Sequence, residues 1–170
     1  MTSEAVELAA LEKDVVRYLV ALLLVSFVSG FVLLVFLPAD HSFATVVTNH
    51  PLGAFFIEAL IGFSGSAVAA LTSCINRYAA GLEFDDGTKE PKEAKGETFN
   101  RRMGRAFYTR PFLGFVAGPV LIWGLELFAK NPEDFVSSRE RLAFTAFMGG
   151  LLAKSVFDVI KNIFKNIFKT

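Results

Sequence analysis

The sequence predicts an all-α integral membrane protein, a four-transmembrane-helix bundle with amphipathic N-terminal and C-terminal helical extensions. Three observations predict it. Hydrophobic residues make up 53% of the 170-residue chain, with 19 Phe and a mean hydropathy of +0.47. They are gathered into four runs rather than spread along the chain. Basic residues are absent from one connection between runs and crowded into the next, the asymmetry that orients membrane proteins.

Residues 1–17, "SEAVELAALEKDVV" and its flanks, read as a cytoplasmic amphipathic segment. Ala5, Leu8, Leu11 or Glu12, and Val15 recur at helical spacing, and Glu4 and Glu7 lie near the helix N-terminus, where the macrodipole favours acids. The first span, 18–37, is twenty residues without a charge. A hydrocarbon core about 30 Å thick needs about 20 helical residues. The second span is 52–75 and carries Glu58; the third is 111–128 and carries Glu126; the fourth is 142–160 and carries Lys154 and Asp158.

The connection 38–51 has no Lys or Arg, whereas 76–110 holds eight: Arg77, Lys89, Lys92, Lys95, Arg101, Arg102, Arg105 and Arg110. The positive-inside rule puts this basic loop in the cytoplasm and, with four spans, both termini beside it. Lys130, Arg139 and Arg141 then face outward, against the rule. No cleavable signal peptide is evident, and a bacterial inner membrane is the expected location.

Within the basic loop, Asp86-Gly87 is a turn dipeptide that predicts a short hairpin, and "KEPKEAKGE" is too poor in apolar residues to order itself. "FNRRMGRAFYTRP" interleaves bases with aromatics, an anchor for the inner leaflet. Arg101, Arg102, Arg105 and Arg110 are candidates for docking anionic lipid or an acidic protein partner. Residues 161–170 form a basic amphipathic tail: Ile160, Ile163, Phe164, Ile167 and Phe168 share one face, flanked by Lys161, Lys165 and Lys169. No motif points to specific nucleic-acid binding.

Small residues recur at intervals that let helices approach closely. They are Gly62, Gly65 and Ser66 in the second span, Gly114 and Gly118 in the third, and Gly149 and Gly150 in the fourth. Pro119 removes the donor for the Phe115 carbonyl and predicts a bend or hinge.

Glu58, Ser66, Glu126, Lys154 and Asp158 are the candidate pathway or intramembrane polar residues. Six residues at 1.5 Å put Glu58 about 9 Å below the outer surface. Glu126 lies close to that surface. Lys154, about 18 Å down, can snorkel inward with Asp158 as its i+4 partner, and Arg77 is within reach of Asp158. Glu58 shares a face with Gly62, Ser66 and Ala70, so it should face protein or water, or else hold a proton, because a charged carboxylate in lipid costs several kcal/mol.

No catalytic constellation is visible. His41 and His50 stand alone with Asp40, Cys74 has no base nearby in sequence, and no phosphate loop, nucleophile elbow or zinc-protease motif occurs. No enzyme, cofactor or metal site is expected. The sequence favours a homo-oligomeric, channel- or pore-like protein, with oligomerisation making Glu58 a cation-favouring ring and the basic loop and tail serving regulation or docking. The alternatives are a membrane-embedded scaffold or accessory subunit with no solute path, and a proton-coupled transporter.

Overall fold

The computed structural model describes residues 3–36, 51–91, 97–128, 139–155, 157–158 and 161–162. The protein is all-α apart from one small hairpin. Helix α1 is Ser3–Phe36 and helix α2 is Pro51–Ala80; strands β1, Gly81–Glu83, and β2, Lys89–Pro91, follow. Helix α3 is Arg101–Phe128 and helix α4 is Arg139–Leu151.

Helices α1, α2 and α3 each run further than the spans predicted for them. The amphipathic segment and first apolar run form one helix, α1, because no Gly or Pro interrupts residues 3–29. Helix α3 starts ten residues before the predicted third span. Its start is set by Asn100, whose side-chain oxygen accepts from the Met103 N–H at 2.8 Å, a cap for an otherwise orphaned donor. Helix α2 stops where Gly81 takes a φ of 133°, a conformation open to glycine, and the chain enters β1.

The predicted hairpin forms. Leu82 pairs with Glu90 in an antiparallel register, and Gly87, at a φ of 83°, makes the turn. Phe99 adds a short parallel bridge to Leu82, with Phe99 N–H donating to Gly81 O and Glu83 N–H to Phe99 O, both at 2.9 Å. The rest of "KEPKEAKGE", 92–96, the connections 37–50 and 129–138, and the tail from 163 onward lie outside the described residues.

Neighbouring side chains fix the course of the helices. Leu11 packs on Gly104 and Tyr18 on Tyr108, so α1 and α3 run parallel. Gly62 meets Gly118, and Ser66 meets Gly114, so α2 runs against α3. Leu142 and Ala146 cluster with Ile57 and Ile61, whereas Gly150 meets Gly62 and Leu151 comes to Gly65, so α4 runs with α2. The result is an up-down-up-down bundle.

By length and composition, one helix among the described residues can cross a membrane, over Phe55–Ala80. Helix α4 as bounded has 13 residues, short of the roughly 20 a hydrocarbon core requires; helical turns resume at Ala153 after Leu152.

The bundle core is a crossing of backbones. A Cβ on Gly62 would strike the Gly114 carbonyl and fall 2.9 Å from the Gly118 Cα. One on Gly150 would strike the Gly62 carbonyl, and one on Gly149 would fall 2.9 Å from the Ala117 carbonyl. Helices α2, α3 and α4 therefore meet where none carries a side chain. Gly124, by contrast, has nothing within 4 Å of such a carbon.

This contrast gives a paired prediction. Gly62→Ala is expected to destabilise the fold by about 1–3 kcal/mol or more through overpacking, whereas Gly124→Ala is neutral or stabilising by up to about 1 kcal/mol from helix propensity. Thermal unfolding of the two variants beside wild type checks both signs.

Candidate functional site

Two regions hold the residues of interest: the glycine crossing with Glu58 beside it, and the charged end of the bundle.

Glu58 is buried at 6% exposure, one turn before Gly62 on the face of α2 that meets α3. The stripe continues through Gly62, Ser66 and Ala70, all buried. The face predicted to meet protein or water meets protein within one chain. The Ser66 hydroxyl donates to the Arg110 carbonyl at 2.8 Å. Pro111, inside α3, cannot donate to the Phe107 carbonyl and crowds the turn before it. In that turn the Tyr18 hydroxyl donates to the Tyr108 carbonyl at 3.3 Å, a long bond. Hydroxyls from α1 and α2 thus support the proline turn of α3. Pro119 is buried within the same continuous helix.

At the other end, Glu4 and Glu7 of α1 tie together segments distant in sequence. Glu4 accepts from the Asp85 N–H at 2.7 Å. Arg101 lies between Glu7, at 2.6 Å, and Asp85, at 3.3 Å. Arg77 pairs with Glu97 rather than with Asp158, the partner the sequence suggests. Glu83 accepts from Thr98 at 3.0 Å and lies 3.8 Å from Lys89. Below these polar contacts Ala5, Leu8, Val15, Cys74, Leu82, Phe99 and Phe107 form a buried core. The N-terminus, the hairpin and the start of α3 are therefore one folded cap.

Local electrostatics follow from this packing. Burial holds the Arg110 guanidinium below its usual range, with the charge of Arg77 acting in the same direction; its Cζ lies 5.9 Å from the centre of the Phe107 ring. Burial pushes the Tyr108 phenol up, and the charge of Asp14 adds to this. Hydrogen bonds from Thr88 hold the exposed Asp86 carboxyl below the ordinary carboxylate range.

The remaining expected residues divide clearly. Gly65 packs on the Phe147 carbonyl, and Gly114 and Gly118 complete the crossing. Arg102 and Arg105 are exposed on α3, and Lys154, Asp158 and Lys161 are exposed along and beyond α4. Glu126 falls in the last turn of α3, its side chain outside the described residues, as are Lys165, Lys169, His41 and His50. No group of His, Cys, Asp and Glu among the described residues is arranged to hold a metal. Sequence reasoning missed Arg17, Tyr18, Phe99, Tyr108 and Pro111. The Arg17-Tyr18 step at the head of the first apolar run was the available signal for two of them.

No protein-family model matches the chain, and no curated protein or solved structure is significantly similar to it.

Phe99→Ala is expected to cost about 3–5 kcal/mol and to loosen the cap selectively. Limited proteolysis should then cut between residues 81 and 100 faster than in wild type, at an unchanged rate elsewhere in the chain.

Proposed function

We propose that the protein is an integral membrane bundle of four spans that presents its folded cap in the cytoplasm, and that it works as a membrane-embedded scaffold or accessory subunit with the cap as docking surface. The observation that carries this reading is a change of character at one level on several helices. On α1 the exposed face runs Lys13, Arg17, then Val20, Leu24, Phe27 and Val28. On α3 it runs Arg102, Arg105, Thr109, then Phe112, Leu113, Val116 and Trp123. The Tyr18–Tyr108 pair, with ring centres 5.0 Å apart, aligns the two changes. Lys154 is one turn past Gly150, as Ser66 is one turn past Gly62, so it reaches the level of Arg110.

Exposed large apolar faces of this extent need a non-aqueous partner. Beyond the shared level, the described ionisable side chains of the four helices are Glu58 and, at the far end near the start of α4, Arg141. Basic residues crowd the level itself. The ion pairs Arg17–Asp14, Arg77–Glu97, Lys89–Glu83, Arg101–Glu7 and Arg101–Asp85 lie on its cap side or at its edge. Helix length agrees. At 1.5 Å per residue the 34 residues of α1 extend about 51 Å, and the surplus over about 30 Å of hydrocarbon builds the cap. The basic end faces the cytoplasm by the positive-inside rule, with a bacterial inner membrane as the proposed location.

A homo-oligomeric pore is the second reading, and Glu58 favours it. Eight residues from Ser66 put Glu58 about 12 Å beyond the inner level, closer to mid-membrane than counting from the outer end suggests. An ionisable group there is a default functional candidate. Against a pore, the small stripe beside Glu58 is covered by α3 and α4 of the same chain.

Two measurements separate the readings. Both readings expect extraction from membranes only with detergent; the scaffold reading expects Glu58→Gln to fold with unchanged binding of cytoplasmic partners. The pore reading expects a defined oligomer by light scattering, and altered ion selectivity in the same variant. Recovery of the full chain as a monodisperse species in buffer without amphiphile overturns both.

A further inference from the structure

The packing sorts the basic residues into two groups that the sequence treats as one. Arg77 and Arg101 are committed to Glu97, Glu7 and Asp85 inside the cap. Arg102, Arg105 and Lys154 are exposed with no ion pair among the described residues, and Arg17, its side chain 80% exposed, has only a loose 3.8 Å approach to Asp14. Arg17 is on α1, Arg105 on α3 and Lys154 just past the end of α4, and the contacts described above put all three within about two helical turns, or roughly 11 Å, of the Tyr18–Tyr108 level. On α1 and α3 the same faces become apolar within one or two turns. A cation one or two turns above an exposed apolar face suits a molecule with an anionic head and an acyl tail; a soluble anion would use only the first half of that arrangement.

We propose that the ring formed by Arg17, Arg105 and Lys154 binds the phosphate head groups of anionic phospholipids in the cytoplasmic leaflet, fixing the depth of the bundle. The proposal rests on the membrane-embedded reading and adds lipid selectivity and named residues to it. Each basic residue near an anionic leaflet contributes about 1 kcal/mol, or roughly fivefold in partitioning.

The test uses the full chain in nanodiscs of phosphatidylcholine alone or of phosphatidylcholine with phosphatidylglycerol. Lipid retained on release is read by native mass spectrometry, and the thermal midpoint is read in each disc. Wild type is expected to retain phosphatidylglycerol in preference to phosphatidylcholine and to melt higher in the anionic discs. Arg17→Gln, Arg105→Gln and Lys154→Gln should each lower the preference about fivefold, and the triple variant should abolish it with its midpoint in phosphatidylcholine unchanged. Arg101→Gln should lower the midpoint equally in both discs and leave the preference intact. Equal retention of both lipids by wild type overturns the proposal while leaving the membrane reading standing. So does inorganic phosphate raising the midpoint in detergent as much as phosphatidylglycerol does in discs, since the ligand is then a soluble anion. A chain that never enters discs and stays soluble without them overturns the membrane reading instead.

Discussion

Three helix backbones meet at Gly62, and the rest of the bundle depends on how closely they approach. With hydrogen in place of side chains at Gly62, Gly118 and Gly150, α2 lies against α3 and α4 at once. The close approach fixes register as well as distance. Because Gly62 meets Gly118, Ser66 is brought to Arg110, where its hydroxyl supports the turn before Pro111. Because Gly62 meets Gly150, Lys154 is carried to the same level. In water such a crossing would forgo the apolar burial that drives helix association. In hydrocarbon that driving force is absent, and van der Waals packing between small residues takes its place. On the proposed membrane reading, the crossing and the exposed apolar faces around it have one common cause.

The cap follows from a mismatch of lengths. On the proposed membrane reading, helices α1 and α2 are longer than a hydrocarbon core is thick, and their surplus turns have to be stabilised in water. The chain does this as a small soluble domain does, with a buried cluster around Phe99 roofed by Glu4, Glu7, Asp85 and Arg101. Exposed ion pairs contribute little each. Their value here is geometric, since Arg101 binds two acids from separate parts of the chain and holds the first turns of α1 over the hairpin. The cap and bundle thus share α1, α2 and α3, and a partner docked on the cap would act on helices that continue through the glycine crossing.

Much of this is legible in the sequence, for local reasons. Helical class, the hairpin at Asp86-Gly87 and the buried Ala5, Leu8 and Val15 follow from periodicity and turn chemistry. The glycines of the crossing announce themselves by spacing. Which glycine meets which does not, because several registers bring small residues together and only the full packing selects one. The cap is illegible for a related reason. Glu7 and Arg101 are 94 residues apart, and nothing local marks them as partners. Glu58 stands out because an acid in an apolar run is conspicuous, whereas Pro111 reads as an ordinary span residue, and the bond from Ser66 to the Arg110 carbonyl is unreadable, until α3 is laid beside α2.

Depth along the exposed faces is the quantity on which the membrane reading stands or falls. Single spin labels placed at Lys13, Leu24, Phe27, Arg102, Val116 and Trp123 in the reconstituted protein would be compared for collision with oxygen, which partitions into lipid, and with a polar nickel chelate. Labels at Leu24, Phe27, Val116 and Trp123 are expected to favour oxygen and those at Lys13 and Arg102 the chelate, with both helices crossing over at the Tyr18–Tyr108 level. Equal chelate access along the whole of α1 and α3, or crossovers at different levels on the two helices, would contradict it.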